Sequence, residues 1–474
     1  MHPSHAWARS AVSIAGFAVA AVFGGEASAE RPSPAAVEDP AVAALGQLSL
    51  QKATLDNGLR VVMNVDRSTP TVAVCVTYDV GSRNEERGKS GFAHLFEHIM
   101  FQGSRNVPKG EHFKLISARG GTLNGTTSPD RTNYYEMLPM NELALGLWLE
   151  ADRMRWLDVT TENFENQRRV VQEEYRMRVS NAAYMQGLLR LRELAFADYW
   201  PYGHDAIGSM TDLDNARFEW VKDFHASYYA PNNAVLTIAG NFDTDEAMRL
   251  VREYFGPIPA QPDVPPYAPG EAPEQTAERS ERLSDPNAHT PGLFYGFRIA
   301  KTRTPEHYAL ELAALLLADG ESSRLYRTLV RERAVAREVT AWTEDQRGPD
   351  LLTLMVLLTE KADLKSVRQL VDREIGRLAE RPPSTAELDK VKNRLRSSFI
   401  FGIQSNLNRA VRLGEFEVHW GDARLLTREL DHYLAVSPQA VSAAVKQYLI
   451  PARRSTIEVM PPGGAQAALQ GAAR

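Results

Sequence analysis

His94-Leu95-Phe96-Glu97-His98 puts two imidazoles and a carboxylate inside five residues. Histidines four apart on a helix stack one turn above each other, close enough to hold one zinc ion at about 2.0–2.1 Å. Glu97 lies one turn from His94 and does not crowd the same coordination positions. It can hold a metal-bound water and take its proton, because zinc lowers the pKa of that water towards about 7. The chemistry implied is hydrolysis by an activated water. The plainer alternative is a solvated helix face that happens to carry the pattern, and the neighbouring residues argue against it. On a wheel of 3.6 residues per turn, His94, Glu97, His98 and Phe101 share one arc, while Phe92, Leu95, Phe96, Ile99 and Met100 fill most of the rest. No Lys or Arg occurs between positions 92 and 102. A carboxylate buried there without a partner is strongly disfavoured, and a divalent cation supplies the partner.

Two helices must position these groups. Ser90 is a suitable N-cap for a helix reaching about Gln102, where Gly103 stops it. Tetrahedral zinc needs a third protein ligand and leaves a fourth position for water. The next candidate helix starts at Thr160 or Thr161 and passes Phe164, Val170, Val171 and Tyr175. It carries Glu173 and Glu174. On the wheel Glu174 falls between Val170 and Val171, on the expected buried stripe, and Glu173 points away. Glu174 is the better ligand on this geometry, with another acid as the open alternative.

The chain has 474 residues, enough for two or more domains, and a net charge of -6. That charge argues against nucleic acid or an anionic membrane as partner. Arg9, the uncharged stretch Ala11 to Gly24 and Ala27-Ser28-Ala29 read as a signal peptide over residues 1–29, cleaved after Ala29, with a periplasmic or secreted destination. The apolar stretch is too short to span a bilayer comfortably, and stable membrane insertion is not expected. The only cysteine, Cys75, lies in an apolar run and reads as core. Residues 30–47 read as a flexible leader and 466–474 as a tail. Residues 256–285 hold seven prolines and read as an extended linker between domains at 48–255 and 286–465. The two sides resemble each other. Tyr228-x-x-Pro231 followed by Val235-Leu236-Thr237-Ile238 recurs 220 positions later as Tyr448-x-x-Pro451 followed by Ser455-Thr456-Ile457-Glu458-Val459. Leu59–Met63 and Gly292–Gly296 read as the opening strands of the two copies. Duplicated α+β domains follow.

The motif, with Glu174 placed 75 intervening residues later, resembles the pitrilysin family of inverted-motif zinc peptidases, which includes insulin-degrading enzyme and the mitochondrial processing peptidase. The likeness extends over most of residues 50–460. It includes Phe101-Gln102-Gly103-Ser104, Leu123-Asn124-Gly125-Thr126-Thr127, Thr132-Asn133-Tyr134-Tyr135, Tyr229-Ala230-Pro231-Asn232-Asn233 and Ser323-Arg324-Leu325-Tyr326. The resemblance implies an α+β fold of two homologous domains, each a mainly antiparallel sheet packed with helices, together forming half of a clamshell. It implies Zn2+ held by His94, His98 and Glu174, with Glu97 as general base. It implies an edge strand around Asn124 and Gly125 that receives a peptide substrate as an added strand. Without the motif, Gly120-Gly121 and Asn124-Gly125 would read as ordinary turns.

Two positions depart from the family pattern. Many relatives carry a glutamate seven residues before the third ligand, where this chain has Gln167. Relatives that act alone carry an arginine followed seven residues later by a tyrosine, which grip substrate; Arg331 fits the first, but position 338 is Glu. Arg331 also fits a charged helix end. A chain with the metal and an incomplete grip points to a dimer, with a lean towards a zinc-less homologous subunit as partner. The competing reading is a non-catalytic scaffold of the same fold. His112, His204, His225, His289 and His307 read as surface or satisfied core residues.

Overall fold

The computed structural model describes residues 48–266 and 269–462, so the signal-peptide, leader and tail expectations lie outside the described residues. Two sheets organise them. The first contains β1 (Leu50–Thr54), β2 (Arg60–Val65), β3 (Thr71–Tyr78), β4 (Thr122–Thr127), β5 (Thr132–Pro139) and β6 (Ala234–Gly240), in the order β1-β2-β6-β3-β5-β4. The second contains β7 (Arg279–Ser284), β8 (Gly292–Ile299), β9 (Ala336–Thr343), β10 (Asp350–Leu358) and β11 (Arg454–Met460), in the order β7-β11-β8-β10-β9. With β1 set aside, the orders are the same. In each sheet one pair is parallel, β2 with β6 and β7 with β11, and the others are antiparallel. This is the α+β duplication expected from the sequence.

The repeat aligns differently at its start. The partner of β2 is β7, inside the expected linker, and β8 corresponds to β3. Arg279–Ser284 alternates half-buried and exposed residues, a pattern that the preceding prolines obscure. The approach to β7 is also tied down: Gln275 Nε2 donates to the Arg454 carbonyl at 2.8 Å, and Glu278 pairs with Arg454.

Seven helices cover these sheets or carry the site. They are α1 (Phe92–Ile99), α2 (Glu111–Ser117), α3 (Leu143–Trp156), α4 (Thr161–Tyr175), α5 (Met185–Ala195), α6 (Pro305–Ala318) and α7 (Asn406–Trp420). One face of the first sheet carries Val72, Val74 and Val76 into a core shared with Phe92, Leu95, Phe96, Leu147 and Leu149 of α1 and α3. The opposite face carries Ala73, Cys75 and Ala239 against Ala410 of α7. β3 is therefore buried on both sides, which suits its unbroken apolar run. Cys75 is core as expected, and burial pushes its thiol up to about 12.

The halves exchange helices. α7 comes from the C-terminal half and lies on the N-terminal sheet, where a Cβ on Gly414 would stand 2.6 Å from Thr77 Oγ1. α5 comes from the N-terminal half and lies on β8 and β11, where a Cβ on Gly187 would stand 2.6 Å from Val459 Cγ2. Each sheet thus buries its second face with a helix from the other half. Among the described residues no helix is long and apolar enough to cross a membrane.

Candidate metal centre

α1 starts at Gly91 rather than Ser90. Gly91 has φ +89°, a conformation that disfavours a side chain. The Ser90 hydroxyl instead donates to Asp212 Oδ2 at 2.5 Å. Capping comes from Glu85, whose carboxylate accepts the Gly91 N–H at 3.0 Å and the Ala93 N–H at 2.7 Å. His204 Nε2 lies 3.0 Å from the same carboxylate and 2.9 Å from the Ser82 carbonyl. A carboxylate at a helix N-terminus also meets the positive end of the dipole. Glu85→Ala strips two helix N–H groups of their partner and leaves His204 with backbone carbonyls alone. The expected result is a loss of about 3 kcal/mol in stability and weaker zinc binding, read by denaturant titration and zinc competition. An unchanged denaturation midpoint would remove the capping role.

α1 is apolar nearly all round, as its composition implied: Phe92, Ala93, Leu95, Phe96 and Ile99 are buried. It ends at Ile99, and the chain tightens through turns to Gln102 before Gly103, whose φ is +109°. α4 begins where expected, with the Thr160 hydroxyl accepting the Asn163 N–H. Asn163 in turn donates to the Asp158 and Gln102 carbonyls, which ties the start of α4 to the end of the metal-motif segment. The buried stripe of α4 is narrower than expected. Val171, Gln167 and Glu174 are buried, while Val170 is exposed and Glu173 reaches solvent to pair with Arg176.

These two helices bring His94, His98 and Glu174 together. His94 Nε2 and His98 Nε2 lie 3.3 Å apart. Glu174 Oε2 is 3.3 Å from His98 Nε2, and Glu174 Oε1 is 3.8 Å from His94 Nε2. A tetrahedral zinc with bonds of 2.0–2.1 Å separates its ligand atoms by about 3.3–3.4 Å. The His94–His98 spacing and the His98–Glu174 Oε2 spacing match that value, while His94 stands 3.8 Å from the other carboxylate oxygen; the N,N,O donor set suits zinc. Burial, then the neighbouring His98, hold His94 down at about 4, so it is the neutral, metal-binding imidazole at pH 7. Burial pushes Glu174 up, but His98, His94 and Arg178 outweigh it and keep the carboxylate ionised. Arg178 Nη1 pairs with Glu174 Oε1 at 2.5 Å.

Glu97 lies beside these donors. The Thr127 hydroxyl donates to Glu97 Oε2 at 2.6 Å, and burial raises its pKa. A Cβ on Gly125 would lie 3.0 Å from Glu97 Cγ and 3.3 Å from Glu97 Oε1. Gly125 thus lets the carboxylate rise against β4, which lies at the sheet edge as the family resemblance implied. Asn124 is on the same strand, but side-chain alternation puts it on the opposite face. Arg331 is not brought to this place: its guanidinium meets Glu321 and, at 6.0 Å, the Tyr326 ring, and its side chain is 58% exposed. The family-like Ser323-Arg324 segment is pinned by Arg324, which binds both oxygens of Glu387 at 2.8 Å.

A second group of possible ligands was not foreseen. His112 of α2, Glu136 of β5 and Glu150 of α3 place one ligand atom each within 4.8 Å of one another. Here the compensating cation is Arg153. Its Nε donates to Glu150 Oε2 at 2.9 Å, and its guanidinium packs over the Phe101 and Tyr134 rings at 5.1 and 4.5 Å. One arginine balances one of two carboxylates. Burial, reinforced by Glu150, holds Glu136 well above the carboxylate range. A raised carboxyl favours the folded state most below its unfolded pKa of about 4.3 and loses that contribution as pH rises. Removing it with Glu136→Gln is expected to make stability relative to the parent chain improve between pH 5 and pH 8. Parallel urea titrations across that range check this, and a difference independent of pH would overturn it.

The duplicated sheets thus carry one donor set, with His94 and His98 on α1 and Glu174 on α4. Residues 60–195 match the profile of insulinase, peptidase family M16, and residues 216–395 match the peptidase M16 inactive domain. Among proteins of similar sequence, the zinc protease PqqE of Helicobacter pylori is 28% identical over 87% of this chain and 93% of its own. A probable mitochondrial-processing peptidase subunit beta of Arabidopsis thaliana is 24% identical over 84% of this chain and 75% of its own. The crystal structure of a protease from Helicobacter pylori superposes with a TM-score of 0.83 at 26% identity, over 87% of this chain and 100% of that one. The periplasmic protease PqqL of Escherichia coli shares the fold, with a TM-score of 0.71 at 18% identity over 89% of this chain and 50% of that one. The chain belongs to the pitrilysin family, peptidase family M16.

Proposed function

We propose that this chain is a zinc endopeptidase that hydrolyses extended peptides or unfolded segments. The observation carrying this reading is the gathering of His94, His98 and Glu174, with nitrogen and oxygen atoms 3.3 to 3.8 Å apart, beside a buried carboxylate. Zinc bound there supplies Lewis acidity towards water and towards the carbonyl of a scissile bond. His94, a neutral imidazole at pH 7, would hold it together with His98, and Glu174 would add one negative charge. Glu97 is the general base. Thr127 occupies Oε2, so Oε1, facing Gly125, accepts the proton from water and later returns it to the leaving amine. Among the described residues β4 has one neighbour in the sheet, so its other edge can pair with an extended peptide, which places the scissile bond across Glu97. Gly125 supplies the close approach; Asn124 lines the far face of that strand.

The same reading includes export, periplasmic or secreted, with cleavage after Ala29, and units near 48–255 and 286–465, the second reaching back to Arg279 because β7 belongs to its sheet. It also includes a dimer with a second chain of this fold, preferentially one lacking the metal ligands. Arg331, exposed and far from the donors in its contacts, suits a substrate or partner surface better than the site itself. The scaffold alternative gains nothing from the inactive-domain match, which starts after the whole donor set.

Metal removal tests the reading. The mature chain is expected to cleave a quenched unstructured peptide, to lose all activity in a chelator, and to recover with one equivalent of zinc. A folded, zinc-loaded chain that remains silent alone and with any zinc-less homologue overturns it.

A further inference from the structure

Among the described residues β4 is held by a strand on one side only, so its end needs another restraint if Thr127 is to meet Glu97 reliably. That restraint comes from the other half of the chain. Arg131, in the turn after β4, donates through Nη1 to the Thr126 carbonyl at 2.9 Å and to Thr126 Oγ1 at 2.6 Å. Its Nε and Nη2 both reach Glu415 Oε1 at 2.9 Å. Glu415 stands on α7, the helix lent by the C-terminal half, and its other oxygen lies 3.1 Å from Arg412. The ion pair is largely shielded, with side chains 11% and 12% exposed, so solvent screening is weak. The neighbouring Asp130 is held as well, by Arg83 Nη1 at 2.8 Å, the Tyr202 hydroxyl at 2.9 Å and the Arg347 N–H at 3.0 Å.

We infer that Glu415 is a positioning residue for the peptidase site. Through Arg131 it fixes Thr126, and so fixes the adjacent Thr127 hydroxyl that orients Glu97. The C-terminal half then does more than cover the sheet: it sets the general base from behind the substrate strand. The inference rests on the peptidase reading for its kinetic consequence, and on geometry alone for its structural one.

Glu415→Gln keeps the shape and removes the charge that grips Arg131. The expected result is a kcat about tenfold lower with KM and zinc content nearly unchanged. Amide hydrogen exchange over residues 122–128 is expected to speed up in the same variant. Thr127→Val provides the control for route. If Glu415 acts through Thr127, adding Glu415→Gln to Thr127→Val lowers kcat no further; independent effects multiply instead. Parental kcat and parental exchange in Glu415→Gln, or a double variant with multiplied losses, overturns the inference. If the parent chain itself shows no zinc-dependent cleavage, the peptidase reading has failed. The exchange rates then decide the inference: faster exchange supports the restraint on β4, and unchanged exchange removes it.

Discussion

Glu97→Gln is expected to lower the turnover of an extended peptide by about 10³-fold or more while zinc content stays at one equivalent. The amide keeps the volume of the carboxyl group and can still accept the Thr127 hydroxyl, so the site's shape survives. What disappears is the atom that takes a proton. None of the three donor side chains can replace it while committed to the metal, and a neutral amide has no useful basicity. The zinc content separates this result from loss of the metal, because Glu97 does not belong to the donor set. Steady-state cleavage of a quenched peptide, run beside metal analysis, gives the answer. A variant within tenfold of the parent would falsify the assignment of Glu97 as base. A variant without zinc would move Glu97 into the metal-holding set instead.

Arg153→Met is the second large effect, and it acts on stability. Arg153 is fully enclosed, paired with Glu150 and stacked on Phe101 and Tyr134. Methionine fills much of the same space but leaves Glu150 as a buried charge with Glu136 beside it. Breaking a buried pair in this way typically lowers stability by about 3–5 kcal/mol. Denaturant titration of the first unfolding transition at pH 7 measures it. Adding Glu136→Gln and Glu150→Gln to Arg153→Met removes the orphaned charges and is expected to recover most of the loss. A single-variant loss below about 1 kcal/mol would show that the carboxylates become protonated at little expense. No recovery in the triple variant would show that the stacking of Arg153, not its charge, carries the effect.

The motif helix was legible because its signal is local. Five residues specify two imidazoles and a carboxylate on one face, and the absence of Lys and Arg from 92 to 102 marks the helix as buried. Glu174 was readable for a related reason: helical periodicity alone separates it from Glu173. The same periodicity overreached at Val170, since it shows which way a residue points and not whether another element covers that direction. The repeat was visible near its ends, where Tyr-x-x-Pro precedes β6 and β11. It was blurred at β7, where a run of prolines gave an irregular approach to a short edge strand.

Several residues around the centre could not be read from local pattern. Glu85 caps α1 from six residues upstream, and nothing in its neighbourhood distinguishes it from Glu86. Thr127 shares the alternation of Gly125 and could have been suspected once β4 was known to be a strand. Arg178 stands one turn after Glu174, a spacing that favours an ion pair on any helix. Glu415 lies 284 residues from Arg131 in the chain, and only the exchange of α5 and α7 between halves brings them together.

The sequence by itself therefore determined which side chains fall together as metal donors, which carboxylate stands beside them, and that the fold is a duplication. The first two follow from residue type and the helical period of 3.6 residues, which acts over a few turns, and the third from a pattern that recurs 220 positions later. The tertiary structure alone decided how Glu97 is oriented, what caps the metal helix, and how the excess charge around Glu136 is balanced. Those depend on contacts between segments far apart in the chain, where burial removes water and leaves each polar group to find its partner within the protein.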